Sequence, residues 1–175
     1  MKHEQQEEFL DIVDHNDQVI KTLPRSEVYG KGLFGQMRSV WLLIRNSHGQ
    51  LWIPRRCSTR QVCPDHLEGS VVGHVQAGET YQQALIRETQ EEVGFDLTKQ
   101  SYRHLGKLIP HIHQSFCFAD VYECRMDQEP VNWNRQEFSE WSWLTPAELL
   151  QRLKQGEKIK DTLPIILREF YGCKI

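Results

Sequence analysis

GHVQAGETYQQALIRETQEEVGF, residues 73–95, decides how the rest of the chain is read. From Thr80 to Val93 it holds neither proline nor glycine and is dominated by helix formers; Gly78-Glu79 supplies a turn and an acid before it, and Gly94 stands where a helix ends. The pattern predicts a helix. At about 3.6 residues per turn, Glu88 and Glu92 fall one turn apart on one face, with Glu91 beside them and Arg87 one turn from Glu91. Ala84, Leu85 and Val93 lie on other faces and are free to pack inward. Carboxylates gathered on one turn repel each other by roughly a few tenths of a kcal/mol per pair, so the helix gains from a bound cation. Hard oxygen ligands suit Mg²⁺ or Mn²⁺, which are typically held by carboxylates together with substrate phosphates. Acidic helix faces are also common as plain solvated surface, so the surrounding spacing carries the weight.

That spacing, Gly-x5-Glu-x7-Arg-Glu-x2-Glu-Glu-x-Gly-apolar, resembles the Nudix box of the Nudix hydrolase superfamily. Only Thr89 departs from the usual pattern, standing where an aliphatic residue is common, and its methyl group still serves a core position. The resemblance implies an α/β/α sandwich with a mixed central sheet. It implies that Glu88, Glu91 and Glu92 hold a divalent metal, Mg²⁺ with Mn²⁺ as the alternative, and that Glu88 or Glu92 orients or deprotonates the attacking water. Glu79 then holds Arg87, which orients the glutamates, while Gly73 and Gly78 serve as the backbone-permissive ends of the preceding loop. The implied reaction is hydrolysis of a phosphoanhydride in a nucleoside di- or triphosphate or a nucleoside diphosphate derivative. Its partner is a small-molecule nucleotide, and a homodimer is a common family arrangement.

Composition bounds the rest. A chain of 175 residues is expected to form a single domain, residues 1–175, and such a length buries about 70% of its unfolded surface. A net charge of -3 gives no basic footprint for nucleic acid, and no apolar run is long enough to span a membrane. The opening MKHEQQEEFLDIVD is acidic and polar where a secretory leader is basic and then apolar, which predicts a soluble, cytoplasmic protein. Cys57, Cys63, Cys117, Cys124 and Cys173 are odd in number and include no Cys-x-x-Cys, so reduced thiols are expected rather than a disulfide framework or a zinc site.

Along the chain, residues 9–23 predict a small N-terminal hairpin around His15-Asn16-Asp17, and Pro24–Gly32 a connection with at most one helical turn. Ser39–Arg45 and Gln50–Arg56 predict a second hairpin, and Ser70–Val75 the strand that feeds the box. Arg55, Arg56 and Arg60 are candidates for phosphate contact, with a solvated role as the alternative. Tyr102–Ile109 and Ser115–Arg125 have strand character; between them His111 and His113 would share a face if extended, which permits a metal or phosphate contact or a loop role. In Nudix proteins a further glutamate from the region after the box often reaches the metals, and Glu137 resembles it, with Glu123 and Glu140 as rivals. Thr145-Pro146 opens a helix that ends near Gly156, and a last helix runs from about Thr162 through Phe170. Trp133, Trp141 and Trp143 are assigned to the core, with base stacking as the alternative.

The segment DIVDHNDQVIKTLPRSEVYGKG, together with the Pro-Arg-Arg strand and WSWLTPAEL, also resembles type I isopentenyl-diphosphate isomerases. Those enzymes carry a cysteine in an Asn-x-x-Cys-x-His-Pro segment before the box. Here the matching positions are Gly69, Val72, His74 and Val75, so only the histidine remains. Valine cannot transfer a proton, and Cys57 or Cys63 would have to be brought in by a substantial loop rearrangement. Hydrolysis is therefore favoured over isomerisation. A non-catalytic nucleotide-binding module is the other alternative, and the intact set of glutamates opposes it.

Overall fold

A strand that is apolar without interruption has to be covered on both faces, and Val40–Ile44 is such a run. The computed structural model describes residues 7–174; residues 1–6, which enter the argument against a secretory leader, lie outside the described residues. In chain order its elements are β1 (Phe9–Val13), β2 (Val19–Pro24), α1 (Arg25–Gly30), β3 (Arg38–Arg45), β4 (Leu51–Arg56), β5 (Val71–His74), α2 (Tyr81–Val93), β6 (Tyr102–Leu108), α3 (Pro110–His113), β7 (Phe118–Arg125), β8 (Phe138–Leu144), α4 (Pro146–Lys154) and α5 (Thr162–Tyr171).

The main sheet is mixed and six-stranded, in the order β6-β7-β3-β4-β8 with β5 also on β3. β3 runs parallel to β7, and the other pairs are antiparallel. Val40, Leu42 and Ile44 of β3 pack with Ala84, Leu85 and Val93 of α2 on one face. Trp41 and Leu43 pack with Leu149, Leu163 and Ile166 of α4 and α5 on the other. This is the α/β/α sandwich expected from the box. Trp133, Trp141 and Trp143 pack against the α2 side, as assigned. The hairpin β1–β2 stands apart as a two-stranded sheet and builds a third cluster from Leu10, Ile12, Val28, Met37 and Cys117.

Two local readings change. α1 extends over six residues, more than the single turn expected. β3 and β4 pair only at Arg45↔Leu51, because β5 takes the same edge of β3 from Ser39 to Leu42. At the seam where β4 leaves β3, the buried Ser70 hydroxyl accepts from Ile44 N at 2.8 Å and donates to Trp52 O at 2.7 Å, satisfying groups that a continuous ladder would have paired.

Candidate active site

α2 is fixed at both ends by its sequence. Thr80 and Gln83 form a reciprocal capping box, and Gly94 closes the helix in the left-handed conformation at φ 73°. Within the helix Thr89 is fully buried, and its hydroxyl donates to Leu85 O at 2.7 Å; the departure from an aliphatic residue thus leaves no unpaired polar atom.

Arg87 is the hub of the helix face. Its Nε and Nη2 meet the two oxygens of Glu79 at 2.7 and 2.8 Å, Nη2 also donates to His74 O at 3.0 Å, and Nη1 reaches Glu88 Oε1 at 2.7 Å and Glu91 Oε2 at 3.3 Å. Glu79 is held in turn by Gln76 N. The five residues 74, 79, 87, 88 and 91 therefore form one bidentate, charge-assisted network.

Glu88 and Glu92 turn inward. Glu88 lies against Gly73, where a Cβ would come within 1.9 Å of its carboxyl carbon, so only glycine leaves the carboxylate its place. Burial pushes the Glu88 pKa up to about 7, against the lowering pull of Arg87. Glu92 receives one hydrogen bond, from Val72 N at 3.0 Å; burial first, then the charges of Glu88 and Glu68, hold its carboxyl well above the usual carboxylate range. Glu91, with 58% of its side chain exposed, stays at the surface. Among the described residues no three acidic, histidine or cysteine side chains already converge as a metal cage. The site offers two buried carboxylates, Glu88 paired with the shared Arg87 and Glu92 with no ion pair, and a third at the rim.

These two carboxylates face a cavity of about 240 Å³ floored by Trp41, Met37 and Val72. One wall is cationic. Arg56 and Lys160 both bond Glu68, each at 2.7 Å, and Arg60 pairs with Glu137 at 2.8 Å while its Nε is buried without a hydrogen-bond partner. Main-chain bonds build this wall: Leu67 N and O bond Lys158 O and Lys160 N, and Glu68 N donates to Pro54 O. The opposite wall comes from the N-terminal elements, where Glu8 Oε2 stands 3.3 Å from His74 Nδ1, and Tyr29 Oη 3.2 Å from His74 Nε2. The hairpin is tied to the loop before α2 by Ala77 N to Phe9 O and by Gly78 N to Asp11 Oδ2.

The structure thus brings Glu79, Arg87, Glu88, Glu91 and Glu92 together, and places Arg56, Arg60 and Glu137 at the same cavity. It separates others. Arg55 is engaged by Glu140 and Glu157, and Glu123 by Arg103 and Tyr171, so neither glutamate rival of Glu137 lines the cavity. His111 and His113 form a helical turn rather than an extended segment, His113 bonds Ile109 N, and neither lines the cavity. Cys63 already lines it, as does the buried Cys117, so the rearrangement expected for Cys63 is not needed for access; neither thiol occupies the Val72 position on β5. Sequence reasoning passed over Glu8, Tyr29, Phe116 and Lys160 of the cavity lining, and Glu68, which holds Arg56 and Lys160. They reach the site from remote segments, and the one local signal was His74, adjoining Gly73.

Residues 35–164 match the family model of the NUDIX domain. An uncharacterized Nudix hydrolase of Nostoc sp. is 44% identical over 165 residues, 94% of this chain and 96% of that protein. The crystal structure of DR0079 from Deinococcus radiodurans matches with a TM-score of 0.88 at 38% identity, covering 94% of this chain and 99% of that one. An isopentenyl-diphosphate Delta-isomerase of Photorhabdus laumondii is 27% identical over 145 residues, 82% of this chain and 80% of its own length.

Proposed function

The chain belongs to the Nudix hydrolase family, and from that membership we propose that it catalyses Mg²⁺-dependent attack of water on a phosphoanhydride of a nucleoside di- or triphosphate or a nucleoside diphosphate derivative. Glu88, Glu91 and Glu92 are the proposed metal ligands, with Mn²⁺ as an alternative ion. One observation supports this most: Glu88 and Glu92 are both buried at one cavity, where burial outweighs the pull of Arg87 on Glu88 and Glu92 has no ion pair. A divalent cation satisfies such a donor set, and hard oxygen ligands suit it. Glu91 can join at small cost, since a surface i,i+4 contact such as that with Arg87 is worth only about a few tenths of a kcal/mol.

When bound, the metal supplies charge neutralisation at the phosphate oxygens and lowers the pKa of water. The chain does the rest. Arg87, clamped by Glu79, fixes the Glu88 carboxylate; Glu88 or Glu92 takes the proton of the attacking water; a P–O bond forms to that oxygen as the bridging P–O bond breaks, giving two phosphate products. Arg56, Arg60 and Lys160 face the phosphates across Trp41, and Glu137 is the candidate additional carboxylate. Every residue used comes from one copy of the chain, taken as a single domain, residues 1–175. No helix among the described residues is long and apolar enough to cross a membrane.

The test is product release from a panel of nucleoside di- and triphosphates, sugar nucleotides, dinucleotides and isopentenyl diphosphate, with Mg²⁺, Mn²⁺ or chelator. Metal-dependent cleavage lost in Glu92→Gln and Glu88→Gln supports the reading; unchanged turnover and metal dependence in both overturns it. Tight nucleotide binding without turnover would instead mark a non-catalytic module. Dimethylallyl diphosphate as product would mark an isomerase, which Val72 opposes.

A further inference from the structure

The cavity has an axis that β5 measures. His74, Gly73 and Val72 are successive positions: His74 Nε2 lies 3.2 Å from the Tyr29 hydroxyl, Gly73 lies against Glu88, and Val72 N bonds Glu92. At about 3.3 Å per residue along a strand, Glu88 and then Glu92 follow from the Tyr29 end, and Arg56, which feels the Glu92 charge, lies beyond them. At that far end Arg56 is buried, and Arg60 and Glu137 line the cavity beside it.

The Tyr29 end is different. Phe116 lines the cavity and is 46% exposed, one of few large apolar side chains so placed. It is not a loose ring. Phe34 stacks on it with centroids 4.7 Å apart at 28°, and Tyr29 meets Phe34 edge-on at 5.3 Å and 84°. The stack holds Phe116 and leaves its other face open. The cavity volume of about 240 Å³ lies below the range of roughly 300–1,000 Å³ typical of complete ligand pockets. It suits a phosphate chain rather than a whole nucleotide, so the remainder of the ligand has to lie at the mouth.

We propose that the open face of Phe116 seats the nucleobase of a nucleoside di- or triphosphate, whose phosphate chain runs past Glu88 and Glu92 toward the cationic end. This rests on the hydrolase reading above. The cationic end, where Arg56, Arg60 and Lys160 line the cavity, suits phosphate, and a flat ring is the shape that covers an exposed aromatic face. Stacking tolerates any base, so this seat selects for a base rather than for which base.

The experiment compares the wild-type chain with Phe116→Ala and Phe116→Trp under Mg²⁺, measuring KM and kcat for a nucleoside diphosphate and a nucleoside triphosphate, and Ki for inorganic tripolyphosphate, a phosphate chain without a base. The expected result is a nucleotide KM raised about tenfold in Phe116→Ala, as loss of one base stack would give, with kcat within about twofold, recovery in Phe116→Trp, and an unchanged tripolyphosphate Ki. An unchanged nucleotide KM, or a tripolyphosphate Ki that rises by the same factor, overturns the proposal. Should the wild type turn over no nucleotide, the hydrolase reading fails first. Equilibrium binding of the nucleoside triphosphate then still decides the base seat, weaker binding in Phe116→Ala sustaining it and equal binding overturning it.

Discussion

Glu92 lines the cavity and Glu68 holds two of its cations, and these two buried glutamates have opposite surroundings. Glu68, with no exposed surface, is gripped by Arg56 and Lys160 at 2.7 Å each. Glu92, 6% exposed, accepts from a single backbone N–H, feels the carboxylates of Glu88, Glu68 and Glu137, and reaches Arg56 only at a distance, without an ion pair. Burying a charge is tolerated when a partner is supplied with it, and here only one of the two has a partner inside the chain. The difference separates a structural acid from one left to take a partner from outside, the role proposed for Glu92.

The largest effect expected from this contrast is on catalysis. Glu92→Gln should lower metal-dependent turnover by about a thousandfold or more, on the scale of losing a main electrostatic element, while the melting temperature of the metal-free protein holds or rises because an uncompensated buried acid has gone. A fall in both would break the comparison. Next comes Glu68→Gln, which leaves Arg56 and Lys160 facing a neutral amide and should cost about 3–5 kcal/mol in urea unfolding, as loss of one partner in a buried pair does.

A pH series sharpens the same point. The folded-state pKa of Glu88 is raised from 4.5 to about 7, so the native state holds its proton where the unfolded chain has released it. Its contribution is therefore complete below about pH 4.5 and is lost as pH rises through about 7. Metal-free stability should fall by roughly 3 kcal/mol across that window in chelator. Saturating Mg²⁺ should flatten the slope, because the cation replaces the proton. The smallest effect expected is for Thr89→Val, a change of less than about 1 kcal/mol in urea unfolding, since the hydroxyl is paired only within its own helix.

Much of the fold was legible because its signals are local. The helix follows from the residues of Tyr81–Val93 and the glycine after them, and the double-sided burial of β3 from its unbroken apolar run. The Glu79–Arg87 pairing followed from the family pattern rather than from periodicity. What stayed hidden is non-local. The sharing of one β3 edge between β4 and β5 depends on where Ser70 lands, 26 residues from the amide it pairs. Glu8 and Lys160 meet the cavity from opposite ends of the chain. His111 and His113 misled because Pro110 at a helix start and the left-handed Gln114 at its end curl a segment that alternation alone would extend.

The seam at Ser70 also supplies a clock. Ile44 N–H is protected by a single side-chain oxygen instead of by a neighbouring strand, and that oxygen is itself anchored to Trp52 O. In amide hydrogen exchange its protection reports the parting of β3 from β4 rather than global unfolding. Removing the hydroxyl in Ser70→Ala would turn Ile44 into a fast-exchanging probe set inside an otherwise slow strand, a built-in gauge of how often the sheet breathes beside the cavity.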